Sequence, residues 1–163
     1  MIKKIKLNQL VGATLVELLI TFIIIGILSI GVYVMWSTTT ISLRNEADVI
    51  ARDIEYTRNL SMTENSRYRV DLTNSSQYRI LTSSGTAITV PSTWDQTTAT
   101  LPSGYTLTTS NYLVFDGKGT PYLSTTATGS GTAITSNLTL TLTADSLTVQ
   151  IVITPETGRI YTN

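Results

Sequence analysis

Hydrophobic and polar positions divide the chain into three successive patterns. From Leu15 to Trp36 the only polar side chains are Glu17, Thr21 and Ser29. As a helix these 22 residues rise about 33 Å at roughly 1.5 Å each, enough to cross a bilayer. From Leu43 the pattern becomes amphipathic: Leu43, Ala47, Ile50 and Ile54 recur at steps of three or four, with Arg44, Glu46, Asp48, Arg52, Asp53 and Glu55 between them. That spacing gives a helix with one apolar stripe and a solvated face. No proline or glycine interrupts Ser37-Thr38-Thr39-Thr40, so a single helix is predicted from Ala13 to about Met62.

After Asn65 the period falls to two. Tyr68, Val70 and Leu72 alternate, then Tyr78 and Ile80 after Thr73-Asn74-Ser75-Ser76, which predicts a β-hairpin. If the apolar residues share a face, Arg69 lies opposite Arg79 on the other, with Asp71 placed to neutralise the pair diagonally. Residues 83–112 read as loop with short strands at Ala87–Val90 and Tyr105–Thr108. Leu113-Val114-Phe115 runs into the turn Asp116-Gly117-Lys118-Gly119 and then Pro121-Tyr122-Leu123; residues 125–132 form a Thr/Gly/Ser loop. The clearest hairpin pairs Leu138, Leu140 and Leu142 with Leu147, Val149, Ile151 and Ile153, each strand alternating apolar and polar. A turn at Pro155–Arg159 and a last short strand close the chain. The fold class is therefore α+β: a long N-terminal helix, its second half packed on a C-terminal antiparallel β domain. The divisions are 1–12 (a basic leader), 13–36 (apolar half of the helix), 37–62 (amphipathic half) and 63–163 (β domain).

Charge orients the span. Lys3, Lys4 and Lys6 precede it, no acid comes before Glu17, and the first charge after it is Arg44. The leader is thus expected in the cytoplasm and the β domain outside, on a single-pass protein of the cytoplasmic membrane. The apolar run is too long for an ordinary secretory signal, and no A-x-A-like site follows it. The whole chain carries 11 basic and 11 acidic side chains; without residues 1–12 the balance becomes eight against eleven, which does not advertise nucleic-acid binding. There is no histidine and no cysteine. That excludes zinc sites and the usual His- or Cys-based catalysis, and neither catalytic residues, metal nor cofactor are expected.

The stretch Gly12-Ala13-Thr14-Leu15-Val16-Glu17-Leu18-Leu19-Ile20 resembles the processing site of type IV prepilins and pseudopilins. The resemblance implies cleavage by a membrane prepilin peptidase between Gly12 and Ala13, methylation of the new amine on Ala13, and a role for Glu17 in meeting the N-terminal amine of a neighbouring subunit. Pairing suits the physics, because a carboxylate and an amine relieve each other's desolvation in an apolar bundle. Ala13 stands where that family usually has phenylalanine or methionine, and the family's frequent helix-kinking proline is absent.

The globular half resembles minor pilins and pseudopilins of the GspH/FimT type, at Ala51–Asn59, at Phe115-Asp116-Gly117-Lys118-Gly119 and at Thr157-Gly158-Arg159-Ile160. This implies the type IV pilin fold and a structural subunit of a type IV pilus or type II secretion pseudopilus. Its partners would be the peptidase, other pilin or pseudopilin subunits met through their N-terminal helices, the inner-membrane assembly platform and membrane lipid. The alternative is a membrane-tethered module that captures DNA or a secreted substrate. Some members of that family bind DNA through a Gly-Arg-x-Arg motif; here Gly158-Arg159-Ile160-Tyr161 lacks the second arginine. The candidate DNA or partner contacts are Arg159, Arg67, Arg69 and Arg79.

Overall fold

The computed structural model describes the backbone of residues 14–35, 38–108 and 111–163, and within these the side chains of 14–27, 40–108 and 111–163. Gly12 and Ala13 lie outside the described residues. So do Trp36 and Ser37, through which the predicted single helix would run. The chain forms two compact units that divide between Thr38 and Thr39. The first contains helix α1, Leu15–Met35. Its described side chains end at Ile27, and among the described residues no helix is long and apolar enough to cross a membrane.

The second unit opens on helix α2, Thr38–Thr63. Leu43, Ala47, Ile50 and Ile54 are fully buried, as the spacing predicts. Each large aliphatic side chain among them contributes about 1.5–3 kcal/mol by leaving water. The stripe then turns polar without leaving the interior. Thr57 and Ser61 are also fully buried, and their hydroxyls donate to the carbonyls of Asp53 (2.8 Å) and Thr57 (2.9 Å) one turn back. Asn65 takes a left-handed conformation (φ 47°), and Ser66 N–H donates to Ser61 C=O at 3.1 Å. That geometry ends the helix by satisfying one of its last carbonyls.

Two antiparallel sheets share one core with α2. The first contains β1 (Tyr68–Asp71), β2 (Gln77–Leu81), β3 (Ala87–Ile88), β4 (Ala99–Thr100), β6 (Tyr112–Phe115), β7 (Pro121–Ser124) and β8 (Thr132–Ala133). Its order is β3-β2-β1-β6-β7-β8, with β4 also paired to β2. The second has the order β11-β10-β9-β5, from β5 (Tyr105–Leu107), β9 (Leu138–Ala144), β10 (Leu147–Ile153) and β11 (Ile160–Thr162). In the β9–β10 hairpin Leu140 opposes Ile151 and Leu142 opposes Val149. Asp145 (φ 54°) opens its two-residue turn, the left-handed geometry that suits the twist of the strands. The expected alternation puts Leu140, Leu142, Ile151 and Ile153 in the core, but β10 departs from it at Val152, which is buried as well.

The β1–β2 hairpin departs from expectation in register and in exposure. Arg79 opposes Asp71, and Arg69 opposes Leu81. Asp71 Oδ2 accepts from Arg79 at 2.5 Å, while Oδ1 accepts from Thr73 N–H and hydroxyl at 3.1 and 2.6 Å. The register therefore sets opposite charges across the ladder instead of two arginines. All four residues of β1 are buried, because β1 lies between β2 and β6 and the segment after β7 covers its outer side.

Candidate functional site

Thr14 precedes α1 as its N-cap. Glu17 N–H donates to the Thr14 carbonyl (3.0 Å) and to Thr14 Oγ1 (3.3 Å). Thr14-Leu15-Val16-Glu17 is thus a T-x-x-E start, with the hydroxyl satisfying an otherwise orphan amide and the acid favoured in the first turn. The T-x-x-E spacing itself carries the signal for this local role of Glu17, beside the intersubunit role expected of it. Thr21 Oγ1 donates to the carbonyls of Glu17 (2.7 Å) and Leu18 (2.9 Å), so its hydroxyl is satisfied within the helix. Every large apolar side chain from Leu15 to Ile27 is at least half exposed, on all faces of the helix. Large contiguous apolar surfaces of this kind mark association with lipid or protein.

The four arginines meet different surroundings. Arg69 is 1% exposed. Its guanidinium donates to the carbonyls of Ala127, Gly129 and Ser83, and burial lowers its pKa, with Arg67 adding to the effect. It pins two connecting segments across the sheet and does not face solvent. Arg79 is held by Asp71. Burial raises the Asp71 carboxyl, but the bonds from Thr73 and Arg79 outweigh it and leave the pKa below the usual carboxylate value. Arg67 stacks over Tyr122, 5.6 Å from the ring centre. Arg159 is exposed in the turn after β10, where its amide donates to Thr154 Oγ1 at 3.1 Å.

The three globular stretches that carry the resemblance converge at Arg58 of α2. A Cβ on Gly158 would lie 2.4 Å from Gly119 O and 3.2 Å from Arg58 Cδ. A Cβ on Gly119 would lie 2.8 Å from Met62 Sδ and 3.0 Å from Arg58 Nε. Both glycines have positive φ, 60° and 78°, so conformation and space each demand glycine. Arg58 reaches Glu55 at 3.3 Å, and its Nε is buried against these turns with no hydrogen-bond partner. The turn itself is braced by Asp116, whose Oδ1 accepts from Lys118 and Thr120 N–H at 2.9 Å each. These motifs thus form a packing junction that locks the helix end to one turn from each sheet. They also set Lys118 and Arg159, both exposed, next to the two contacting glycines.

The spacing along α2 places Asp53 on its solvated face; the structure does not. Asp53 is 3% exposed, and its carboxylate accepts from Tyr78 Oη (2.5 Å) and from Ser92 Oγ. The Tyr78 hydroxyl is pushed far above its ordinary pKa, by burial first and then by this carboxylate. Asp53 thereby ties α2 to β2 and to the 3₁₀ turn Pro91–Thr93. No group of three or more metal-binding side chains occurs among the described residues.

With this arrangement in place, comparison with known proteins adds one match. The sequence family described as type II transport protein GspH matches residues 46–158, well over half of the chain. No curated protein and no solved structure matches it.

Proposed function

The chain belongs to the GspH family of type II transport proteins, and on that premise we propose that it is cut between Gly12 and Ala13 and assembled through α1. The family is one of structural pseudopilins, so the coarse role is that of a pilin-like subunit of type II secretion that associates with other pseudopilins. The finer reading rests on the exposed apolar surface of α1 from Leu15 to Ile27. Before assembly lipid covers that surface, with the span running over residues 13–36, the leader in the cytoplasm and the β domain outside. After extraction by the inner-membrane assembly platform, the apolar helices of neighbouring subunits cover it. Prepilin peptidase frees the amine of Ala13, methylation follows, and Glu17 pairs with the amine of the adjacent subunit. A carboxylate and an ammonium that meet in an apolar bundle offset part of each other's desolvation; either one alone is left uncompensated.

The test is Glu17→Val in the full chain. We expect a protein that is processed and inserted normally but incorporates into sheared filament fractions at no more than about a tenth of the wild-type level, the change produced by roughly 1.4 kcal/mol in an equilibrium. Wild-type incorporation would refute the pairing role. Because Glu17 also lies in the capping turn, Thr14→Val serves as the companion: it removes the hydroxyl but keeps the carboxylate, and should incorporate well.

A further inference from the structure

The sheet β11-β10-β9-β5 ends in two edges that are finished differently. In an antiparallel ladder every second residue of an edge strand aims its N–H and C=O away from its partner. At β5 the outward N–H of Leu107 donates to Ser75 C=O at 2.8 Å, and that of Tyr105 to Pro102 C=O at 3.0 Å. The β1–β2 connection and the turn before β5 thus satisfy the outward donors of that edge.

The β11 edge is left open. Asn163 and Gln150 exchange both backbone bonds, at 2.8 and 3.1 Å, and Thr154 N–H donates to Arg159 C=O at 2.9 Å. Tyr161 stands opposite Val152 between them. These pairs fix the phase of the ladder: Arg159, Tyr161 and Asn163 bond toward β10, while Ile160 and Thr162 turn their N–H and C=O outward. Among the described residues nothing bonds these four outward groups. Unpaired groups in a row along an edge are a template for another strand, and Ile160-Tyr161-Thr162 has neither the proline nor the lysine that blunts such edges.

There is room for that strand. An open groove of about 580 Å³ lies between α2 and β11, and an added strand would sit about 4.7–4.9 Å from β11. Across the groove α2 presents Asn45, Asp48, Arg52 and Glu55, a wall that suits a peptide backbone and polar side chains. Thr162 Oγ1 donates to Asp48 Oδ1 at 2.7 Å. That bond ties strand to helix on the core side of the sheet, where Thr162 stands opposite the buried Ile151.

We infer that an extended segment of a different pilin-like subunit adds to β11 as a fifth strand of this sheet. Strand addition draws affinity from main-chain bonds and specificity from alternate side chains. The β11 edge of a second copy does not suit the groove, because that edge is flanked by its own α2; the groove takes a single free strand. Association with other pseudopilins, a property of the family, supplies the class of partner. The inference rests on the subunit reading and deepens it: α1 carries assembly, and β11 selects a neighbour.

Two measurements on the full chain test it. In detergent, the free subunit should exchange the amide hydrogens of Ile160 and Thr162 at least about tenfold faster than that of Tyr161. Equal, slow exchange at all three would show the edge already covered and overturn the inference. In cells, Tyr161 is replaced by the photo-crosslinker p-benzoylphenylalanine. Illumination should give an adduct whose crosslinked peptide maps to a non-helical segment of another pilin-like subunit. Thr162→Pro removes one outward N–H and leaves the β10 bonds in place, a change that edge strands tolerate; it should cut the adduct about tenfold or more. Thr162→Val keeps the amide, loses only the Asp48 bond, and should keep the adduct. An adduct that is absent, formed only with a second copy, mapped to a helix, or unchanged by Thr162→Pro overturns the strand addition. The exchange rates and the mapped peptide decide whether or not the proline variant folds. Sheared filament fractions separate the two levels. No adduct from chains that incorporate normally overturns the strand addition alone, whereas no adduct and no incorporation removes the subunit reading as well.

Discussion

Two consecutive helices, one almost wholly apolar and one amphipathic, meet opposite fates in this molecule. In α1 the large apolar side chains from Leu15 to Ile27 point in every direction and are at least half exposed. In α2 the apolar residues occupy one stripe, and Leu43, Ala47, Ile50 and Ile54 are fully buried by the chain's own sheets. A stripe can be satisfied by a single partner surface, and a β domain supplies one. A helix that is apolar all round has no water-facing side left, so its cover must surround it, as lipid or a bundle of like helices does. On the proposed function, this difference separates folding from assembly: α2 belongs to the domain's own core, and α1 is the part proposed to join it to other subunits.

The same substitution in each helix breaks this comparison most sharply. Ile50→Asp places an unpaired charge in the core and leaves a void beside it. We expect a loss of about 3–5 kcal/mol, against a total of roughly 5–15 kcal/mol for a typical domain. Ile20→Asp, on α1, should leave the urea midpoint of the β domain unchanged and abolish assembly instead. A shifted midpoint in Ile20→Asp would show that α1 contributes to the domain's own stability.

A smaller effect follows from pH. Asp71 and Asp116 both have lowered pKa values. For Asp116, burial raises it, but amide donors from Thr120 and Lys118 lead the effects that outweigh this. A depressed folded pKa gives stability that is present above the unfolded value, near 3.9, and lost as pH falls through the folded value. The urea midpoint should therefore decline below about pH 4, and Asp71→Asn should flatten that decline. An Asp71→Asn profile parallel to wild type would remove the Arg79 pair from the account.

The smallest expected effect concerns DNA. Arg69 is buried and Arg67 is half-buried over Tyr122, whereas Arg79, paired with Asp71, is exposed, as are Arg159 and the neighbouring Lys118. Each phosphate contact contributes about 0.9 to the salt slope on duplex DNA, so two or three contacts give a shallow slope and an affinity no tighter than roughly 10⁻⁴–10⁻⁶ M. Tight binding lost in Arg159→Ala, measured by titrating labelled duplex at several salt concentrations, would make DNA capture the better function.

Periodicity made the α2 stripe and the β9–β10 hairpin legible, because both have one wet and one dry face. It failed on β1. A period of two says which residues share a face but not what covers the other one, and here the segment carrying Ala127 and Gly129 lies across Arg69. Register failed for a related reason: residues 72–76 connect β1 and β2, and a connection of that length admits more than one pairing until Asp71 selects Arg79. The short strands Ala99–Thr100 and Thr132–Ala133 were missed because two residues carry no period. Gly158 stood out in the sequence as part of a turn; its contact with Gly119 and Arg58 depends on distant segments that no local pattern relates. Trp94, 94% exposed at a positive φ of 66°, offered no signal at all, since no spacing pattern includes it.

The most direct test of the central claim is to compare thermal unfolding of residues 39–163 alone with that of the full chain in detergent. If α2 is covered from within and α1 only from outside, the shortened protein unfolds cooperatively, with a midpoint within about 3 °C of the full chain's, a difference of roughly 1 kcal/mol or less. A disordered spectrum with no cooperative transition, or a midpoint lower by tens of degrees, would contradict it.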